Sequence, residues 1–221
     1  MLKQIIKTNP LLHRAYYYIV NWLVGKNKYK LSRQCLKIYD CVIKRSTFHD
    51  RGFANRIIIH KGSYLEGCNI QIFGSNNQIL IGENVILHGV TLHIEDDNNN
   101  IVIQNNVTIE EKTKLSCIEG KKLYIGEDCM LSSEVIISTG DSHSIINEDG
   151  MRINSSKDVV IGSHVWIGNR VSINKGVVIA ANSVIGNGSI VTKVAMAENC
   201  VLAGNPAKIV KTNVNWKRER L

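Results

Sequence analysis

Residues 161–196 consist of six consecutive hexapeptides. They read Ile161-Gly-Ser-His-Val-Trp, Ile167-Gly-Asn-Arg-Val-Ser, Ile173-Asn-Lys-Gly-Val-Val, Ile179-Ala-Ala-Asn-Ser-Val, Ile185-Gly-Asn-Gly-Ser-Ile and Val191-Thr-Lys-Val-Ala-Met. An aliphatic residue opens every unit, and a small residue and a turn former usually follow it. Repetition with a period of six predicts a parallel β-helix, in which short strands stack and one aliphatic side chain per hexapeptide points inward.

The same spacing extends toward the N-terminus with two interruptions. Aliphatic residues recur six apart at Ile81/Leu87, at Ile103/Ile109/Leu115 and at Ile125/Leu131/Ile137. An acidic and Asn-rich run at 95–100 predicts a turn. Ile161 then follows Ile137 at four times the repeat length, where a single repeat would continue the series. We therefore expect one extruded loop of roughly 18 residues at 138–157, and insertions of this kind in solenoids are often functional.

Composition supports a β-rich chain and excludes several classes of protein. The 221 residues are 44% hydrophobic and 6% aromatic with only two Pro, so the chain as a whole is not disordered. The six cysteines form no C-x-x-C pair or cluster, which predicts reduced, buried thiols rather than a zinc ribbon or a disulfide scaffold. No apolar run approaches the roughly 18 residues that a membrane-spanning helix needs. No cleavage site for export follows the apolar N-terminal stretch.

Positive charge is concentrated near the N-terminus. Residues 1–60 contain 12 Lys and Arg against two acidic residues, whereas the remainder contains 15 against 17. No nucleic-acid-binding motif accompanies this charge, so a segment near an anionic membrane or an acidic polymer is expected.

The same region contains a predicted helix. Asn9-Pro10 is a good helix start and Gly25 a good end. The residues between them form an apolar stripe made of Leu12, Ala15, Ile19 and Trp22. A stripe of this kind packs on the protein, on a sister subunit or on a membrane. Residues 31–50 fit either a helix or a first, irregular pair of strands.

The extruded loop contains a candidate general base. It begins Ser138-Thr-Gly-Asp-Ser-His-Ser-Ile, so His143 follows Asp141 by two residues. Histidine is the natural base near neutral pH, and a neighbouring carboxylate can fix its tautomer and raise its basicity. The alternatives are that His143 is an inert loop residue and that Asp141 only stabilises the loop by hydrogen bonds.

Several motifs together resemble the hexapeptide acyltransferase family. They are the repeats, G-D-S-H-S-I in the loop, H-V-W-I-G from His164 to Gly168, V-T-K, and A-G-N-P-A-K-I-V from Ala203 to Val210. Within the family the chain is most similar to bacterial O-acetyltransferases that modify sugars, including capsular polysaccharide, polysialic acid or O-antigen. This resemblance covers about residues 60–212. It implies a left-handed, trimeric β-helix that uses acetyl-CoA and no metal.

The resemblance also implies roles for individual residues. His143 matches the catalytic base, Trp166 matches a tryptophan that positions substrate beside it, and Asp141 is the candidate partner of the base. In the family, acetyl-CoA lies between two subunits along the last coils. The positions that match its contacts are Gly168, Asn169, Asn187, Thr192, Lys208 and Lys211. Small residues would let the pantetheine approach the coil, and the lysines would neutralise phosphates. The alternatives are a Trp at a trimer interface and solvated surface lysines.

Three other functions stay open at this point. His88 and His93 are spaced like two zinc ligands of β-helix carbonic anhydrases, but a catalytic zinc wants three protein ligands and His60 lies outside the clear repeats. Those histidines could instead face an acceptor cleft. An N-acetyltransferase acting on an amino sugar would share the fold. A non-catalytic β-helix binding protein would keep the repeats but would not need the His loop.

We therefore predict an acetyl-CoA-dependent O-acetyltransferase that acts on a sugar hydroxyl of a bacterial surface polysaccharide. The expected organisation is a basic segment at 1–56, a left-handed β-helix at 57–212 and a tail at 213–221. The expected partners are the polysaccharide and two further copies in a homotrimer, without nucleic acid. The expected location is the cytoplasm, with residues 1–30 as a candidate for peripheral attachment to the inner face of the membrane.

Overall fold

The structure is a computed structural model that describes residues 10–32, 34–194 and 197–220. It begins with helix α1 (Pro10–Tyr18) and a π-helical segment (Ile19–Val24). The described strands are β1 (Lys28–Lys30), β2 (Leu36–Ile38), β3 (Val42–Lys44), β4 (Thr47–Asp50), β5 (Arg56–Ile59), β6 (Tyr64–Glu66), β7 (Asn69–Phe73), β8 (Gln78–Ile81), β9 (Ile86–His88), β10 (Thr91–Glu95), β11 (Asn100–Ile103), β12 (Thr108–Ile109), β13 (Lys114–Ile118), β14 (Lys122–Ile125), β15 (Met130–Leu131), β16 (Ile136–Ser138), β17 (Val159–Ile161), β18 (Trp166–Ile167), β19 (Ser172–Ile173), β20 (Val178–Ile179), β21 (Val184–Ile185), β22 (Ile190–Val191), β23 (Cys200–Gly204) and β24 (Ala207–Thr212).

The strands form three sheets that make the three walls of a parallel β-helix. Sheet A has the order β1-β4-β7-β10-β13-β16-β19-β22, and sheet B has the order β2-β5-β8-β11-β14-β17-β20. Sheet C has the order β24-β23-β21-β18-β15-β12-β9-β6-β3. Each coil adds one strand to each wall in turn, and about seven turns result. The last strand, β24, pairs antiparallel with β23.

The core consists of columns of aliphatic side chains, because equivalent residues of successive coils stack in register. One buried column contains Ile81, Ile103, Ile125, Ile161 and Ile179. Each hexapeptide between residues 161 and 190 buries two side chains and not one as expected; in the first of them, Ile161 and Val165 are both fully buried. Residues two apart in a strand face the same side, so Val165 points inward like Ile167, and the exposed Trp166 lies between them.

Coil length explains where the repeat breaks. Among the N-terminal coils, the stacked residues Asn55 and Asn77 are separated by 22 positions in the chain. Among the last coils, Asn169 and Asn187 are separated by 18, or three hexapeptides. The longer coils therefore shift the period of six near the run at 95–100. Ile136 pairs with Ser172 on the next coil, although twice the length of such an 18-residue coil separates them in the chain. The additional residues form the expected insertion, which lies between β16 and β17, at 139–158.

Buried asparagines close the corner between sheets A and B in the N-terminal coils. The backbone N–H of Asn77 donates to Asn55 Oδ1 at 2.8 Å, and that of Asn99 donates to Asn77 Oδ1 at 2.8 Å. The N–H of Lys121 continues the ladder by donating to Asn99 Oδ1 at 3.0 Å. All three asparagines are buried. The ladder satisfies corner amides that water cannot reach.

The β-helix begins at Lys28, well before the predicted boundary at 56/57. The strand β1 pairs in parallel with β4, and residues 34–50 form short strands and turns rather than a helix. These first coils lack the hexapeptide period, which is why the sequence pattern does not show them.

The N-terminal segment caps the first coil through a polar side chain. Asn21 is buried, its Nδ2 donates to Cys41 O at 2.9 Å, and its Oδ1 accepts from Ile43 N at 2.8 Å. The predicted apolar stripe is not buried by this packing: its four members, Leu12, Ala15, Ile19 and Trp22, are exposed, although the Trp22 ring contacts Tyr29. The predicted start at Asn9 lies outside the described residues. None of the described helices has the length and apolarity needed to cross a membrane.

The cysteine prediction is confirmed for all six residues, which are unpaired and buried. Burial raises the pKa of the Cys129 thiol to about 12. Cys129 is therefore a protonated packing residue at neutral pH.

The asparagine ladder makes a testable contribution to stability. Asn77→Ala leaves the Asn99 amide buried without its acceptor and should lower the free energy of unfolding by roughly 1–3 kcal/mol. Urea denaturation followed by circular dichroism measures this change. Asn174→Ala, at an exposed asparagine, is the control and should change stability little. Equal stability of the two variants would contradict the role given to the ladder.

Candidate functional site

The extruded loop leaves the corner between sheets A and B and is closed at its base. Thr139 is fully buried, and its Oγ1 accepts from Ile118 N at 2.9 Å. The N–H of Lys157 donates to Thr139 O at 2.8 Å, which joins the two ends of the loop. Residues 141–150 are all exposed. The β-helix therefore presents the loop to solvent from a fixed base.

Asn154 holds the part of the loop that contains His143. Its Nδ2 donates to His143 O and to Asp141 Oδ2, both at 2.8 Å, and the residue is buried. Lys175, two residues after β19, donates from Nζ to the Asp141 carboxylate and to Asn154 O. The backbone of His143 is thus fixed, whereas the residue itself is exposed and available to a substrate.

Asp141 acts as an anchor of the loop. The hydrogen bond from Lys175 is the main reason that the pKa of Asp141 lies below its usual range, and Asn154 adds to the effect. Its carboxylate is therefore charged and bonded to Lys175 and Asn154. These hydrogen bonds match the loop-stabilising role named as an alternative, and the pairing of Asp141 with the His143 ring stays a prediction.

Three of the predicted acetyl-CoA contacts lie together at the corner between sheets C and A. Asn169 N donates to Asn187 Oδ1 at 2.9 Å, and Gly188 N donates to Asn169 O at 2.8 Å. A Cβ on Gly168 would lie 2.3 Å from Asn187 Oδ1, so only glycine fits there. Asn169 and Asn187 are exposed, which leaves this corner open to a ligand.

Of the remaining predicted residues, three lie on sheet C and one follows a strand of sheet A. Trp166 is on β18 of sheet C and is 37% exposed. Lys208 and Lys211 are exposed on β24, at the end of that sheet. Thr192 is exposed and follows β22 of sheet A.

A single chain does not bring the two halves of the predicted site together. His143 leaves the corner between sheets A and B, whereas Trp166 lies on sheet C and Gly168 on the corner after it. A cavity of about 540 Å³ lies elsewhere, at the N-terminal end, where its lining includes Val24 and Tyr64 and none of the predicted site residues.

The two histidines considered for a zinc site lie on separate strands. His88 lies on β9 of sheet C, 3.4 Å from Glu110, whereas His93 lies on β10 of sheet A, 3.3 Å from Gln71. The two histidines thus fall on two different walls. Among the described residues, no group of three His, Cys, Asp or Glu side chains is placed to hold a metal ion.

The sequence analysis missed Asn154, Lys175 and Trp216. Lys175 lies 34 positions from Asp141, so no local motif connects them, although the pairing of Ile137 with Ile173 shows that both follow stacked strands. Trp216 is buried against the β-helix, although residues 213–221 were predicted only as a tail.

Known proteins match both the hexapeptide coils and the overall shape of this chain. The family model for "Bacterial transferase hexapeptide (six repeats)" matches residues 158–193. A polysialic acid O-acetyltransferase of Escherichia coli O1:K1 / APEC is 52% identical over 95 residues, which are 42% of this chain and 31% of that protein. One of Neisseria meningitidis is 46% identical over 113 residues, which are 51% of this chain and 49% of that protein. The structure of the polysialic acid O-acetyltransferase OatWY matches with a TM-score of 0.76 and 31% identity, over 89% of this chain and 90% of that chain.

The matches to the two curated relatives span less than half of each relative's length. The structural match to OatWY covers both chains almost completely. The chain therefore belongs to the hexapeptide-repeat acyltransferase family. The predicted family and the predicted left-handed parallel β-helix are confirmed.

The loop anchor makes a prediction about local opening. Lys175→Met removes the ammonium group that bonds Asp141 and Asn154, so amide hydrogen exchange in residues 139–158 should rise about ten-fold or more while the core coils stay protected. Hydrogen-exchange mass spectrometry measures both regions. The control is Lys157→Met, which changes an exposed lysine of the same loop. If both variants exchange alike, Lys175 does not anchor the loop.

Proposed function

We propose that this protein transfers an acetyl group from acetyl-CoA to a hydroxyl of a bacterial surface polysaccharide, with an anionic polymer related to polysialic acid as the first candidate acceptor. The observation that carries the proposal is the exposed His143 on a side-chain-anchored loop. The names of the similar proteins support the reaction class and the acceptor.

The open corner of sheet C fits the acyl donor. Gly168 and Gly188 leave the coil edge free of side chains at those positions, and a Cβ on Gly188 would meet nothing within 4 Å. A flat edge of this kind can take an extended pantetheine chain. Lys208 and Lys211 are exposed cations suited to the nucleotide phosphates. Acetyl-CoA supplies the acetyl group as a thioester.

His143 provides the proton chemistry. A ring nitrogen takes the proton of the acceptor hydroxyl as its oxygen attacks the thioester carbonyl, and the same proton then goes to the departing thiolate. General-base help of this kind contributes typically about 10²–10⁴-fold. Trp166, beside the donor edge, would hold the acceptor against the base, and positioning of two substrates contributes further.

A trimer would complete the site. In one chain, His143 lies on the loop between sheets A and B, whereas Trp166 lies on sheet C. The residues predicted to contact acetyl-CoA, Asn169 and Asn187, are exposed. In a homotrimer packed along the β-helix axes, the loop of one subunit can reach sheet C of the next. The bound substrates would then lie between two chains and away from bulk water.

His143 is the most direct test of the reaction. Acetyl-CoA and oligosialic acid are incubated with the protein, and released thiol and acetylated product are measured. His143→Ala should lower kcat by at least about 10² while leaving acetyl-CoA affinity nearly unchanged. His60→Ala, at a histidine on another coil, is the control and should keep full activity. Wild-type turnover by His143→Ala would remove this residue from the mechanism, and absence of thiol release by the wild-type protein would favour a binding protein.

The N-terminal segment is proposed to raise the local concentration of the acceptor. Lys26, Lys28 and Lys30 are exposed, and the exposed Leu23 and Val24 adjoin them. Such a surface attracts an anionic polymer, and an anionic inner membrane face in the cytoplasm is the second candidate.

Substitution tests this role better than deletion, because removing residues 1–30 would also remove the Asn21 cap and β1. The triple change Lys26→Gln, Lys28→Gln and Lys30→Gln should raise KM for the polymer, weaken its salt dependence and spare kcat on a single sugar. Unchanged KM together with lost binding to anionic vesicles would assign the surface to the membrane instead.

A further inference from the structure

After the last strand, the C-terminal segment turns back and runs along the outside of the β-helix. After β24, residues 213–218 form a C-terminal strap that runs along the corner between sheets B and C. Three hydrogen bonds attach the strap to carbonyls of three different coils, from Val214 N to Asn199 O at 3.0 Å, from Trp216 Nε1 to His164 O at 2.9 Å and from Arg218 Nη2 to Asn106 O at 2.9 Å. The strap therefore spans several coils toward the N-terminal end.

Asp128 anchors the far end of the strap. Its carboxylate accepts from Arg218 Nε at 2.9 Å and lies 2.7 Å from His164 Nδ1. Burial works against the charged form, but the hydrogen bonds from His164 and Arg218 prevail and lower the pKa of Asp128. Arg218 also donates to Cys129 O at 3.1 Å. Charge-assisted hydrogen bonds of this kind hold the guanidinium in one place.

The strap buries a tryptophan beside the predicted site. The Trp216 indole lies flat on the His164 ring, with centroids 4.2 Å apart and planes 8° apart, and it is only 6% exposed. The Trp216 ring also lies near Trp166, at 6.3 Å between centroids and 48° between planes, and near the Arg218 guanidinium, 5.8 Å from the ring centroid. Trp216 is thus held between the corner and the candidate substrate-binding residue.

Trp166 has few other supports. Its strand neighbours within sheet C are Met130 and Val184, and its ring projects from the outer face of the wall with 37% of the residue exposed. Without the strap, the side of the indole toward the corner would face solvent. An exposed aromatic side chain samples several rotamers, whereas an aromatic neighbour restricts it.

We propose that Trp216 is a positioning residue that fixes the Trp166 indole, so that the C-terminal strap sets the acceptor geometry on sheet C. This inference rests on the role proposed above for Trp166 in transfer to a polysaccharide. A strap that served only to stabilise the coils would leave the orientation of Trp166 unchanged when Trp216 is truncated.

The experiment uses Trp166 as its own reporter. The chain has three tryptophans, so the double change Trp22→Phe and Trp216→Phe leaves Trp166 alone, and so does Trp22→Phe with Trp216→Ala. Acrylamide quenching and fluorescence anisotropy compare Trp166 in the two proteins. The full-length proteins are also assayed for KM and kcat with the acceptor and for acetyl-CoA affinity.

The alanine and phenylalanine variants of Trp216 should differ in Trp166 fluorescence and in activity. With Trp216→Ala, quenching of Trp166 should rise, its local motion should increase, and kcat/KM for the acceptor should fall about ten-fold at unchanged acetyl-CoA affinity. Trp216→Phe should keep most of the activity. Arg218→Met, made in the protein with Trp22→Phe and Trp216→Phe, releases the far end and should shift the same readouts in the same direction. Arg220→Met, at an exposed arginine of the same protein, should not.

Identical quenching in the alanine and phenylalanine proteins would overturn the proposal. A fall in activity that tracks thermal stability in Trp216→Ala and Arg218→Met alike, with unchanged Trp166 fluorescence, would overturn it too. If the wild-type protein transfers no acetyl group, the proposed function fails, while the fluorescence comparison still decides whether Trp216 fixes Trp166.

Discussion

Stacking of equivalent residues in register is the constraint on which this structure depends. The N–H and C=O groups of each coil bond to those of the next, so a side chain always lies over its counterpart one coil away. Ile103 above Ile81 builds the core in this way, and Asn99 above Asn77 seals a corner. The register also determines which side chains the coils expose on their surface. An exposed side chain either leaves the stack on an insertion, as His143 does, or occupies a fixed position on a wall, as Trp166 does.

The structure could be predicted from the sequence where stacking in register produces a regular repeat of six residues. The last coils are three hexapeptides long and repeat every six, so the fold, the inserted loop and its histidine could be predicted. The longer N-terminal coils keep the stacking but lose that period, which is why the sequence did not decide between a helix and strands for residues 31–50. Contacts between columns leave no local signal either: Lys175 meets Asp141 across 34 positions of the chain, and Arg218 meets Asp128 across 90. The hydrogen bonds that Asp141 makes with Lys175 and Asn154 therefore could not be predicted from the sequence.

Different interactions hold the two halves of the candidate site, the loop that contains His143 and the sheet C wall that contains Trp166. The loop is held by side chains, since Asn154 and Lys175 bind Asp141 and the backbone near His143. The wall is held by backbone register, and the strap adds Trp216 beside Trp166. Few buried contacts support the loop, so it is expected to open more readily than the coils. That difference fits the proposed transfer, in which a polymer would have to reach a rigid wall.

The central claim is that a site made of His143 from one subunit and Trp166 from the next transfers an acetyl group. Coexpression of two differently tagged chains, one with His143→Ala and one with Trp166→Ala, tests it directly. Each variant alone should be nearly inactive, whereas purified mixed trimers should regain a substantial part of wild-type acetyl transfer, because some interfaces pair an intact His143 with an intact Trp166. Mixed trimers as inactive as the parents would show that both residues act from the same chain, and a protein that stays monomeric near 24.7 kDa would contradict the shared site altogether.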